Sequence, residues 1–224
     1  MSRVLSFVRL DFITVKPYLT LKNLFILLLV VTVLSINKTS SGFLIGMIMA
    51  FAFMYSSYPF AVGEQNGIDQ LYITLPMSKR NIVLGRYGFV LAIDVMSGAA
   101  AFVLLFASQN ILQRAFSVQE TLLTILVLFF VYTFFQAIQL PVYFKLGYAR
   151  AKFLVYLPIA IIPLAAVAIG SRFSDAYLEL LAENVLAWFF DNPFFATVIV
   201  VIIWIAIMSV SYSISFNSYK KREF

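Results

Sequence analysis

Long apolar runs separated by short polar and basic breaks dominate this chain. Six runs read as membrane-spanning helices: about Leu19–Ile36, Phe43–Val62, Ile82–Ser108, Thr121–Phe144, Phe153–Ser171 and Pro193–Phe216. A spanning helix needs about 20 predominantly apolar residues. The second, fourth, fifth and sixth runs contain no charged residue, the first holds Lys22 near its start, and the third carries Arg86 and Asp94. Backbone groups in lipid are satisfied only in helices or closed barrels. These runs do not alternate apolar with polar positions, so the expected class is an all-α membrane protein with six transmembrane helices.

Two further segments have the pattern of helices lying on a membrane. In residues 3–16, Leu5, Val8, Phe12 and Val15 fall near one helical face, Arg9 and Lys16 lie elsewhere, and Pro17 ends the run. Asp11 interrupts the apolar stretch and no small-residue cleavage site follows, which argues against a signal peptide and for an interfacial helix. Between the fifth and sixth runs, "SDAYLELLAENVLAWFFDNP" offers Ser174 as N-cap and Asp175 in the first turn, where the helix dipole favours an anion. This element, 174–192, is too short and too acidic to span. It is expected to rest at the outer leaflet or dip into it.

Composition strengthens that picture. Of the 224 residues 62% are hydrophobic and 12% charged, whereas a soluble domain is about 45–50% apolar and about 25% charged. Mean hydropathy is +0.96. A single transmembrane domain over 1–224 is expected, with no room for a soluble one. Cysteine and histidine are both absent, which removes disulfides, the thiolate nucleophile, the commonest general base and the commonest zinc ligand. No pair of carboxylates lies inside the runs, so an intramembrane enzyme has little to work with, and no metal site is expected.

The net charge of +6 reports topology. Arg3, Arg9, Lys16, Lys22, Lys79, Arg80, Arg86, Lys145, Arg150, Lys152, Lys220, Lys221 and Arg222 all fall on one set of connections, and only Lys38, Arg114 and Arg172 on the alternate set. Basic residues concentrate on the cytoplasmic side. Both termini are therefore expected in the cytoplasm, and nucleic acid is not an expected partner.

One break is unusually structured: "EQNGIDQLYITLPMSKRNIVLGRY", Glu64 to Tyr87. Ile68, Leu71, Tyr72 and Leu75 recur at helical spacing, with Asn66 as candidate N-cap, Gly67 beside it and Asp69 in the first turn. Pro76 stops the run. The helix within 66–76 is about nine residues, roughly 13 Å at 1.5 Å per residue, too short to hold in water alone. Burying its four apolar side chains is worth at most roughly 6–12 kcal/mol. The receiver is either the chain's own membrane boundary or a cytoplasmic partner with a groove for one short helix.

The run "PFAVGEQNGIDQLYITLPMSKRNIVLGRY" resembles the signature of small ABC type-2 permeases. The elements are Pro59-Phe60, Glu64 with Asn66-Gly67, Leu75-Pro76 with Ser78-Lys79-Arg80, and Arg86-Tyr87. Among such permeases it is similar to subunits of Gram-positive exporters for phenol-soluble modulins, lantibiotics and bacitracin-like antibiotics. The resemblance implies that 66–76 is a coupling helix docking into a separate cytoplasmic ATPase, with Glu64, Lys79 and Arg80 at its edges. It also implies a partly re-entrant extracellular element between spans five and six. It further implies outward transport of amphipathic peptides, antibiotics or lipids by a permease homodimer, or a pair with a related second permease, in the plasma membrane. ATP and magnesium would be held by the ATPase. This chain has no G-x-x-x-x-G-K-[ST] phosphate loop, so it is expected to bind no cofactor itself.

Three residues inside the spans are candidates for the transport path. Asp94 is costly in lipid, on the order of 2.5–3.5 kcal/mol, so it either faces the path or hydrogen-bonds a neighbour such as Gln136 or Gln139. Pro158 and Pro163 each remove a backbone bond and tend to kink the fifth span. The rival reading is a secondary transporter or channel with no ATPase partner, a class expected to show internal repeats and several intramembrane ionisable groups.

Overall fold

The computed structural model describes residues 3–36, 40–65, 67, 78–155 and 191–221. Among these, helix is the only regular structure. The elements are α1 (Arg3–Val15), a 3-10 turn (Lys16–Tyr18), α2 (Leu21–Ile36), α3 (Ser41–Tyr55), α4 (Tyr58–Gln65), α5 (Lys79–Ile111), α6 (Val118–Leu146) and α7 (Pro193–Lys221). Residues 148–155 are also helical. Ser41–Gln65, α5, α6 and Phe194–Lys221 are each long and apolar enough to cross a membrane. A fifth candidate is a bent pair, Val4–Tyr18 with Leu21–Ile36, whose axes turn by 78°. The predicted span 153–171 lies outside the described residues beyond Val155, and the element 174–192 lies outside them but for Asp191 and Asn192.

Local chemistry sets the breaks. Ser78 caps α5 by accepting from the Asn81 amide at 3.4 Å, and Ser117 caps α6 by accepting from Glu120 at 3.3 Å. Between α3 and α4, Ser56 and Ser57 bond back to the carbonyls of Phe53 and Met54 at 2.6 and 2.8 Å. Pro59 follows in the first turn of α4, where its missing donor costs least. Two glycines take backbone conformations that side chains resist: Gly67 just after α4 at φ +66° and Gly147 just after α6 at φ +77°.

Helix α5 is the central post, packed by α1, α2, α3, α6 and α7. One core cluster joins Phe7 and Val15 of α1 to Phe60, Tyr87, Phe89, Tyr143 and Phe144. A second joins Val31 of α2 to Ile45, Ile48 and Met49 of α3 and Leu105 of α5. Helix α2 is the most loosely held: only Val31 and Ser35 are buried, and Arg114 caps its end by donating to the carbonyls of Ser35 at 2.6 Å and Ile36 at 3.3 Å.

The packed face of α1 differs from the apolar stripe read in sequence. Leu5 is exposed, while Phe7, Asp11 and Val15, spaced four apart, are fully buried. The cause lies on α5, where a Cβ at Gly85 would come within 2.5 Å of Phe7 Cδ1 and one at Gly88 within 3.2 Å of Val8 Cγ2. These glycines let α1 lie directly on the α5 backbone, and the basic residue between them receives Asp11.

Candidate functional site

The site is the set of described residues that flank segment 66–76. Asn66, Ile68, Asp69, Leu71, Tyr72, Leu75 and Pro76, together with Pro158 and Pro163 of the fifth run, lie outside the described residues. The described residues on both sides of the segment are tied into the bundle. At its start, one Glu64 carboxylate oxygen accepts from the backbone amides of Tyr148 and Ala149, the latter at 3.1 Å. Those are the first free amides of the helix at 148–155, so an anion sits where the helix dipole favours it. Gly67, left-handed and with open space around its Cα, turns the chain out of α4. At the far end, the Lys79 ammonium donates to the Lys220 carbonyl at 3.2 Å, in the last turn of α7. Arg80, one residue on, is exposed.

Deeper on α5, Arg86 and Tyr87 point to different partners. Arg86 is 2% exposed and forms a 3.4 Å ion pair with Asp11 of α1. Its guanidinium also lies over the rings of Phe60 at 4.7 Å and Phe7 at 5.7 Å from their centroids. The Tyr87 hydroxyl reaches Ser211 at 2.6 Å and Ser215 at 2.8 Å on α7. Ser211 donates its own proton to the Ala137 carbonyl at 2.6 Å, so Tyr87 donates to Ser211 and receives from Ser215. That carbonyl is free because Pro141, four residues on in α6, has no amide to offer it. The pair Arg86-Tyr87 thus pins α5 to α1 in one direction and to α7 in the other.

A second polar layer lies further into the bundle. Asp94 is 1% exposed, and its Oδ1 accepts from Gln136 Nε2 at 3.0 Å. Gln139, the other residue considered as a partner, is buried too. Trp204 of α7 donates to Thr133 of α6 at 2.9 Å, and Thr133 passes its own proton to the Phe129 carbonyl at 2.8 Å.

The two flanks of segment 66–76 are thus joined to the first turn of the helix at 148–155 and to the last turn of α7. The family model described as "ABC-2 family transporter protein" matches residues 6–220. The chain belongs to the ABC-2 transporter family. No curated protein and no solved structure matches it. Membership makes the chain a multi-pass membrane permease of an ABC transporter, and such permeases are generally transmembrane subunits without an ATPase site of their own.

Within the permease, Glu64, Gly67, Lys79 and Arg80 flank or begin the predicted coupling segment in sequence, and Asp94 lies apart, on the α5–α6 contact. Sequence reading missed Asp11, Ser211 and Ser215 as partners of Arg86 and Tyr87. The serines carried little signal, because Ser209, Ser213, Asn217 and Ser218 are interspersed with them in the same stretch. Asp11 was visible only as an interruption.

Proposed function

We propose that this permease is the membrane-spanning subunit of an ATP-driven exporter. It moves amphipathic peptides of modulin or lantibiotic type, antibiotics or lipids outward. A separate cytoplasmic ATPase docks on the coupling helix at 66–76 and supplies ATP hydrolysis, and two copies of the permease form the path. The chain has six spans and keeps both termini in the cytoplasm.

The observation that carries this reading is the double anchoring of segment 66–76. Glu64 ties its start to the helix that follows α6, and Lys79 ties its end to the last turn of α7. Force applied to the segment therefore reaches two other helices through short polar contacts. The test replaces Ile68 and Leu71 together by aspartate in the full-length permease, co-expressed with its ATPase. Membrane insertion is expected to persist while ATPase stimulation and export both fail. Normal export by that variant, or export without any ATPase, overturns the proposal, and the latter result turns the reading towards a secondary transporter.

A further inference from the structure

A groove of about 770 Å³ runs along the contact of α5 and α6. Its sides are apolar, formed by Val103, Leu126 and Phe129 among others, with Gln119 at one end and Asp94 at the other. At its floor the helices touch: a Cβ on Gly98 would meet Ile125 Cγ2 at 2.9 Å. Asp94 satisfies only one carboxylate oxygen. Its Oδ2 and the neighbouring Gln136 Oε1 are buried with no hydrogen-bond partner among the described residues. A desolvated acceptor without a donor is costly, and Asp94, which lines one end of the apolar groove, carries such an acceptor.

We propose that this groove binds the exported molecule, and that its occupant is an amphipathic peptide whose primary amine reaches Asp94. The inference rests on the export reading for its direction and on the groove for its chemistry. An apolar body matches the walls, and an ammonium group supplies both the missing donor and the opposite charge. A lipid is a poorer match. Asp94 lies sixteen residues beyond Ser78, the exposed N-cap of α5, about 24 Å along the helix at 1.5 Å per residue, so a lipid that left its headgroup at that end would bring only methylenes to the carboxylate.

The chain's lack of cysteine makes the test clean. Ala99→Cys, on the exposed side of the groove, carries a benzophenone in the full-length permease in phosphatidylcholine vesicles, with no ATPase and no nucleotide. Phe25→Cys on the exposed side of α2 is the reference position. The probes are a biotinylated leucine–lysine amphipathic peptide and the same peptide with its lysines acetylated. The lysine peptide is expected to crosslink at Ala99→Cys over the reference, and acetylation or added Asp94→Asn to lower that adduct by roughly tenfold or more, the scale of a lost charged hydrogen bond. Equal adducts from both peptides in the permease that retains Asp94 overturn the role of the carboxylate, and that comparison does not depend on whether Asp94→Asn folds. Adducts only with lipid or with a second copy of the chain overturn the site itself. Failure here leaves the docking test on Ile68 and Leu71 standing, since neither result depends on the other.

Discussion

Arg86 carries a full charge inside an apolar bundle, and its cost is met by Asp11 on one side and two aromatic faces on the other. Removing one member of a buried pair leaves the other uncompensated, typically at 3–5 kcal/mol, whereas removing both is often close to neutral. Arg86→Met is therefore expected to lower the unfolding free energy of the purified permease by about 3–5 kcal/mol, and Asp11→Leu added to it to recover part of the loss. Denaturant unfolding of the two single variants and the double variant measures this; simple additivity would show that the pair is not coupled. Next to it, Gly85→Ala places a methyl into Phe7 and is expected to cost about 1–3 kcal/mol, with Phe7→Ala relieving the clash in the same assay. The importance of Arg86-Tyr87 was legible only through family resemblance. The role of Asp11 was not legible, because a helical wheel scores a charge as outward and cannot see a partner 75 positions away in sequence, on another helix.

Among elements, the long helices were legible because span length and apolarity are written directly in composition, and their caps at Ser78 and Ser117 follow ordinary helix-start chemistry. Which face of each helix meets a neighbour was not. Helices apolar all round carry no stripe to read, so the contacts of α6 and α7 are marked only by isolated polar residues such as Thr133, Gln136, Ser211 and Ser215. Gly42 and Gly46 of α3 sit against Thr124 and Leu128 of α6, and the Gly46 carbonyl accepts from Tyr132 at 2.7 Å. Glu64 shows how one residue joins two elements. Glu64→Gln keeps the shape of the side chain but removes the charge that holds the first amides of the helix at 148–155. A cap of this kind is worth about 1 kcal/mol, so amide exchange at Tyr148 and Ala149 is expected to quicken by roughly fivefold. ATPase stimulation should weaken in the same variant while insertion stays intact. Unchanged exchange at both amides would mean that the carboxylate does not hold this helix start in solution.

For the whole molecule, the polar contacts constrain topology more tightly than hydropathy does. Trp204 meets Thr133, Ser211 meets Ala137, and Tyr219 packs its ring on Phe144 at 5.5 Å between centroids. Residue numbers rise together along both helices, so α6 and α7 run parallel. Their ends share one face of the bundle with Glu64, Lys79 and the helix start at Tyr148, while Arg114 and the end of α2 meet at the opposite face. In the proposed topology the connection from α6 to α7 crosses the membrane an odd number of times. The apolar run 153–171 is long enough for one crossing, as the proposed six spans require, and that proposal keeps the basic ends together on a cytoplasmic face. Single cysteines in this cysteine-free chain test the arrangement through a membrane-impermeant maleimide on intact cells. Ala115→Cys and Asp191→Cys are expected to label from outside, and Arg80→Cys, Arg150→Cys and Lys220→Cys only after the membrane is opened. If Asp191→Cys labelled with the second group, the connection would cross an even number of times. The parallel packing of α6 and α7 could not then coexist with a common cytoplasmic face, and the proposed coupling role of segment 66–76 would lose its geometric basis.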